Sequence, residues 1–195
     1  SEESYENNFS IPNVFPRWFM NRFFIKMLNS LYYYLTSLKK KYIHLNNFFY
    51  PLDKINNWNL FYGKCGFISY QFLLPYKNAN VILKKILIKI KENELYSFVS
   101  VIKSMGKKDG SLSFGSPGFT MVFDFPLYKN IHKILDELDE IILNNNGKIY
   151  LTKDSRINSQ KFKKINKEFN NKAFKKIRKI DRAYFSSLQS ERLDT

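Results

Sequence analysis

Between Gly66 and Leu151 the hydrophobic pattern alternates between a period of two and a period near 3.6, and that alternation limits the fold more than any other feature. Phe67 to Leu74 reads as a strand, and Asn80 to Glu92 as a helix with Val81, Leu83, Ile86, Leu87 and Ile90 inward. Tyr96 to Lys103 reads as a second strand. The glycine-rich stretch Gly106 to Gly118 leads to a third, Phe119 to Phe125, stopped by Pro126. Ile131, Ile134, Leu135, Leu138, Ile141 and Ile142 return to helical spacing, Gly147 is placed to end that helix, and Lys148 to Leu151 is a fourth strand. Strand, helix, strand, strand, helix, strand is the order of the split βαβ or ferredoxin-like plan. The expected fold class is therefore α+β, with both helices on one face of an antiparallel sheet and the other face free to line a site.

Strand parity sorts the side chains, because alternate residues point to opposite faces. Ile68, Tyr70, Phe72 and Leu74 form the more apolar set of the first strand and should meet the helices, leaving Phe67, Ser69, Gln71 and Leu73 opposite. Phe119, Met121, Phe123 and Phe125 do the same in the third strand, leaving Thr120, Val122 and Asp124 on the free side. Lys103 is in phase with Val99 and Val101. Gln71, Lys103 and Thr120 can thus converge as an amide, a cation and a hydroxyl, a set suited to a polyhydroxylated or phosphorylated ligand. An exposed sheet face that merely carries polar residues gives the same pattern.

The remainder of the chain frames this unit. Residues 1–15 read as a linker, and Trp18 to Leu38 as a long helix with Phe19, Phe23, Met27, Leu28, Leu31 and Leu35 on one stripe. The loop from Phe48 to Asp53 and the run from Trp58 to Gly63 hold too many rings for a bare surface, so something must cover them. The tail from Lys161 to Lys179 interleaves Phe162, Ile165, Phe169, Phe174 and Ile177, followed by Ile180, with lysines, as one or two amphipathic surface helices would. At 44% hydrophobic and 17% aromatic, 195 residues can bury a sizeable core. No apolar run reaches the roughly 18 residues of a membrane span, and the start, Ser1 to Ser4, has neither an initiator Met nor a signal-peptide core. The chain is accordingly expected to be cut from something longer.

Charge and cysteine content narrow the chemistry. The net charge of +15 raises nucleic acid or an anionic membrane as partners. The lysines, however, are spread along helices as solvated faces and not gathered into one arm. A single cysteine, Cys65, excludes an internal disulfide and a cysteine-rich metal site, and His44 and His132 lack ligand spacing. There is no nucleophile elbow, P-loop or dinucleotide glycine fingerprint. Asp136, Glu137, Asp139 and Glu140 read as a solvated acidic face.

Five short motifs in order carry a resemblance: Tyr70-Gln71-Phe72, Leu112-Ser113-Phe114, Pro117-Gly118-Phe119, Phe123-Asp124-Phe125-Pro126, and the run from Gly147 to Arg156 that contains Tyr150-Leu151-Thr152-Lys153. Together with the aromatic loop before the first strand, they resemble the decaprenylphosphoryl-ribose 2-oxidase type of FAD-linked oxidase, within the vanillyl-alcohol-oxidase superfamily. The likeness runs from about Ile11 to Leu193. It implies that residues 1–148 are a substrate-binding domain and that 149–195 return to a flavin-binding domain expected before Ser1, on which the tail would pack.

The resemblance also implies roles. Lys103 matches the family's essential lysine and Gln71 its substrate-side glutamine, while Ser69, Thr120 and Val122 stand where the family has a glutamine, an asparagine and a cysteine. Tyr150 and Lys153 match the flavin-side residues. Arg182 replaces a usual proline and Ser187 a usual aspartate, which predicts looser packing of the closing motif. The implied cofactor is FAD, and the implied substrate a sugar or lipid-linked sugar of cell-wall synthesis. The implied redox partner is an NAD-dependent reductase, and the implied location cytoplasmic or peripheral at the inner membrane. An oxidase of a soluble polyol or aldonolactone is the alternative within the class. A basic RNA-binding module is the alternative outside it, but such a module displays stacking aromatics on its open sheet face, whereas parity puts most aromatics here beneath the helices.

Overall fold

A computed structural model describes residues 9–12, 22–36, 42, 44–45, 49–50, 52–107, 114–127, 129–165, 176, 179–180 and 185–194. Its centre is a mixed unit of helices and an antiparallel sheet of strands β3 (Phe67–Pro75), β4 (Val99–Met105), β5 (Gly118–Pro126) and β6 (Lys148–Ile149), in the spatial order β4-β5-β3-β6. Two further strands, β1 (Phe9–Ser10) and β2 (Ile55–Asn56), pair in parallel as a separate two-stranded sheet. Helix α2 (Ala79–Glu92) and helix α3 (Ile131–Asn144) pack on one sheet face. Ile68, Tyr70, Phe72 and Leu74 of β3 and Phe123 and Phe125 of β5 meet Ile82, Ile86, Leu135, Leu138 and Ile142 in one core, as parity requires. Leu73 departs from the pattern: it lies on the opposite face yet is fully buried, so that face is closed at the Leu73 end.

Helix α3 ends through backbone chemistry that its sequence only half signals. Asn146, not Gly147, takes the left-handed conformation, at φ 57°. The Asn146 N–H then donates to the Leu143 carbonyl at 3.2 Å and the Gly147 N–H to that of Ile142 at 2.8 Å, a Schellman closure. Glycine is needed at 147 for proximity. A Cβ there would lie 2.8 Å from the Ile142 oxygen and 2.9 Å from the Leu73 oxygen, both backbone atoms that cannot yield cheaply. Gly147→Ala is therefore expected to cost about 1–3 kcal/mol, the usual penalty for overpacking, read as a lower urea midpoint at unchanged slope.

The helix predicted over Trp18 to Leu38 is described as α1 (Arg22–Thr36). Its expected inward stripe is not inward. Phe23, Met27, Leu31 and Leu35 are exposed, and Ile25, absent from that stripe, is the fully buried residue. Apolar spacing marks which face seeks a partner, and in this helix the fully buried position is Ile25. Helix α4 (Ser159–Ile165) and helix α5 (Leu188–Leu193) follow β6 and bury Ile149, Ile157, Phe162 and Leu193 together in a smaller core. Of the basic tail, Phe169, Phe174 and Ile177 fall outside the described residues, while Ile180 is exposed. Arg182 also lies outside them. Ser187 caps α5 reciprocally with Ser190, so at this position serine supplies the cap that an aspartate could. No described helix is long and apolar enough to cross a membrane.

Candidate functional site

The helix-free face of the sheet carries an open cleft of about 470 Å³. Ser69, Gln71, Lys103 and Val122 from the strands line it together with Lys153 from the loop after β6, and Asp124 joins them. The antiparallel register explains the convergence: Ser69 faces Asp124, Gln71 faces Val122, and Lys103 faces Thr120 across neighbouring strands. One end is walled by Trp58 and Phe67. The 3-10 helix Trp58–Cys65 brings Tyr62 onto Phe67, with ring centres 4.5 Å apart and planes 26° apart, while Trp58 lies 5.5 Å from Phe67. The rings of that run cover one another.

Thr120 does not line the cleft. Its residue is 2% exposed, and its hydroxyl donates to the Phe72 carbonyl at 2.9 Å. With its one hydrogen spent, Thr120 Oγ1 can only accept from Gln71, which it does at 3.1 Å. That fixes the orientation of the amide. Gln71 Nε2 faces the threonine, and Oε1 is left as an acceptor with no partner among the described residues.

Lys103 and Lys153 are both exposed, and among the described residues neither ammonium has a counter-ion. Tyr150 is placed beside Lys153 in a narrow adjoining crevice, its ring 4.8 Å from that of Phe114. The Tyr150 N–H donates to the Gln71 carbonyl at 2.9 Å, so the flavin-side and substrate-side candidates share one backbone hydrogen bond.

Asp124 was missed as a site residue, although parity alone places it on this face. Its main chain is braced: its N–H donates to Ser97 Oγ at 2.9 Å, and the Tyr62 hydroxyl donates to its carbonyl at 3.4 Å. Burial, and secondarily the Asp124 charge, raise the Tyr62 phenol, so it stays protonated as a donor.

The loop that presents Lys153 is clamped from behind, and here the solvated acidic face read from the sequence is corrected. Asp139 is fully buried. Tyr70 donates its hydroxyl to Asp139 at 2.8 Å, Arg156 reaches it at 2.8 Å, and Lys161 at 3.2 Å. Asp136 accepts from the same two cations, and Glu137 pairs with Lys89. Burial raises the Asp139 carboxyl above its ordinary range, against the lowering pull of Arg156. On the loop's far side Arg192 holds Asp154 at 2.9 Å, and Gln189 donates to the Leu151 carbonyl at 2.7 Å.

No family model matches the chain. A curated relative does: over 155 residues, or 78% of this chain, it is 34% identical to the decaprenylphosphoryl-β-D-ribose oxidase of Mycolicibacterium smegmatis. The chain spans 34% of that protein's length.

Proposed function

We propose that this chain, a decaprenylphosphoryl-ribose-oxidase-like sequence over 78% of its length, is the substrate-side part of an FAD-dependent oxidoreductase. The intact protein oxidises a secondary alcohol of a sugar, and the substrate is a lipid-linked phosphoribose. The observation that carries the reading is the cleft itself: two cations without counter-ions among the described residues and an oriented amide acceptor line one open space beside an aromatic wall. Lys103 binds the substrate phosphate or hydroxyl, and Gln71 Oε1 accepts from a sugar hydroxyl. Ser69 and Val122 shape the floor between them.

The rim fits the cofactor that the resemblance implies. Lys153 is an exposed cation on a braced loop, with Tyr150 beside it, and a cation there favours an anionic reduced isoalloxazine. FAD supplies the hydride acceptor when bound. The ferredoxin-like plan accounts for the arrangement, since its helices take one sheet face and leave the other for ligand. Nucleic acid is not a partner in this reading: Phe67, the aromatic that β3 turns to the open face, already has Tyr62 stacked on it. The NAD-dependent reductase and a peripheral station at the inner membrane remain part of the proposal.

The test uses the intact protein from its native reading frame. It is expected to purify yellow, and anaerobic addition of a polyprenylphosphoryl-β-D-ribose is expected to bleach the flavin absorbance. Bleaching by ribitol or a free aldonolactone instead would move the substrate to the soluble alternative. A colourless intact protein would overturn the reading, whereas the 195 residues alone are expected to bind FAD weakly or not at all.

A further inference from the structure

A carboxyl group removed from water needs a partner for each oxygen, and among the described residues Asp124 has one for a single oxygen. The residue is 7% exposed. Oδ1 accepts from the Ser69 hydroxyl at 2.6 Å. Oδ2 has no partner among the described residues, although the side chain lines the cleft with Gln71 and Lys103. Leaving a buried acceptor unmade is costly. The neighbours cannot relieve it: Ser69 has spent its hydrogen on Oδ1, and Tyr62 donates to the Asp124 carbonyl instead.

We infer that Asp124 is the hydroxyl-specificity residue of the cleft, its Oδ2 accepting a hydrogen bond from a ring or primary hydroxyl of a polyhydroxylated ligand. The inference rests on the sugar-alcohol reading above and adds to it a second anchoring point. Gln71 Oε1 and Asp124 Oδ2 are both acceptors, on adjacent strands of one face, so the pair demands two donors from the ligand. A sugar or polyol presents such donors; a singly hydroxylated alcohol does not. A site built to hydrogen-bond a hydroxyl rejects the analogue that lacks it, because the buried group is then left unpaired.

The experiment measures kcat/KM of the intact flavoprotein, wild type and Asp124→Asn, on a polyprenylphosphoryl-β-D-ribose and on its 3-deoxy and 5-deoxy counterparts. The wild type should lose at least about tenfold on one deoxy sugar. The variant should lose less than about threefold on the same sugar, the collapse that a double-mutant cycle reads as direct coupling. A purely structural role for Asp124 would slow all three substrates alike. Asp124→Ser, smaller and also neutral, gives the same comparison if the amide variant does not accumulate. Equal deoxy penalties in wild type and variant, or no penalty in wild type, would overturn the Asp124 assignment alone. Failure of every sugar to reduce the wild-type flavin would overturn the sugar-alcohol reading and this inference with it.

Discussion

Replacing Arg156 by alanine is expected to destabilise the chain by about 3 kcal/mol at neutral pH, the lower end of the range for breaking a buried pair by removing one partner. The side chains involved are sequestered, at 8% exposure for Arg156 and 0% for Asp139. Truncation leaves the Asp139 charge in the core with, among the described residues, Tyr70 and Lys161 to hold it. Against a typical domain stability of about 5–15 kcal/mol, such a loss is severe. The pH dependence separates this cause from lost packing. A carboxyl whose folded value is raised contributes most to stability when protonated, and that contribution falls as pH rises through the raised value. Arg156 limits the fall. The gap between wild type and Arg156→Ala should therefore widen as pH rises above the raised value and narrow as pH falls below it, since a protonated Asp139 needs no cation. A gap in urea-unfolding free energy that stays constant with pH would show that Arg156 acts through packing. Asp139→Asn supplies the control, because it removes the buried charge of the two that Arg156 answers.

Why that clamp escaped the sequence reading has a physical answer. Asp139 stands four residues after Leu135 and three before Ile142, which is the spacing of the inward stripe itself. Tyr70, assigned inward by parity, has a hydroxyl that must find an acceptor when buried. Both signals were present locally, but the cations that make the burial tolerable come from 156 and 161, beyond β6, and no local pattern links them to α3. The strand faces, by contrast, were legible, because period-two alternation is set by the backbone alone and survives any arrangement of neighbours. Parity therefore placed Gln71, Lys103 and Asp124 on the open side correctly. It could not show that Leu73 and Thr120, on that same side, would be closed over, since coverage depends on segments distant in sequence. The stripe of α1 illustrates the same limit: periodicity shows that a face is apolar, not that it is buried, and Phe23, Met27, Leu31 and Leu35 are exposed.

The open-face cation gives the largest expected effect on activity. Lys103 sits near the end of β4, an edge strand, in register with Thr120, and its ammonium reaches the cleft without a counter-ion among the described residues. An unpaired cation in a site with an oriented acceptor and a buried carboxylate is poised for an anion or a polarised hydroxyl on the ligand. In the intact flavoprotein Lys103→Ala is expected to lower the rate of substrate-driven flavin reduction by at least about a hundredfold. The bound flavin should stay in place with its absorbance unaltered, since on this reading the flavin side belongs to Lys153 and Tyr150. Stopped-flow bleaching under anaerobic conditions measures the first and the visible spectrum the second. Lys103→Arg keeps the charge but spreads it over a planar fork, so it should restore only part of the rate. Near-normal reduction in Lys103→Ala would remove the lysine from the substrate site. Loss of the flavin in that variant would instead place Lys103 on the cofactor side of the cleft, and the division of labour between the sheet face and the Lys153 loop would have to be redrawn.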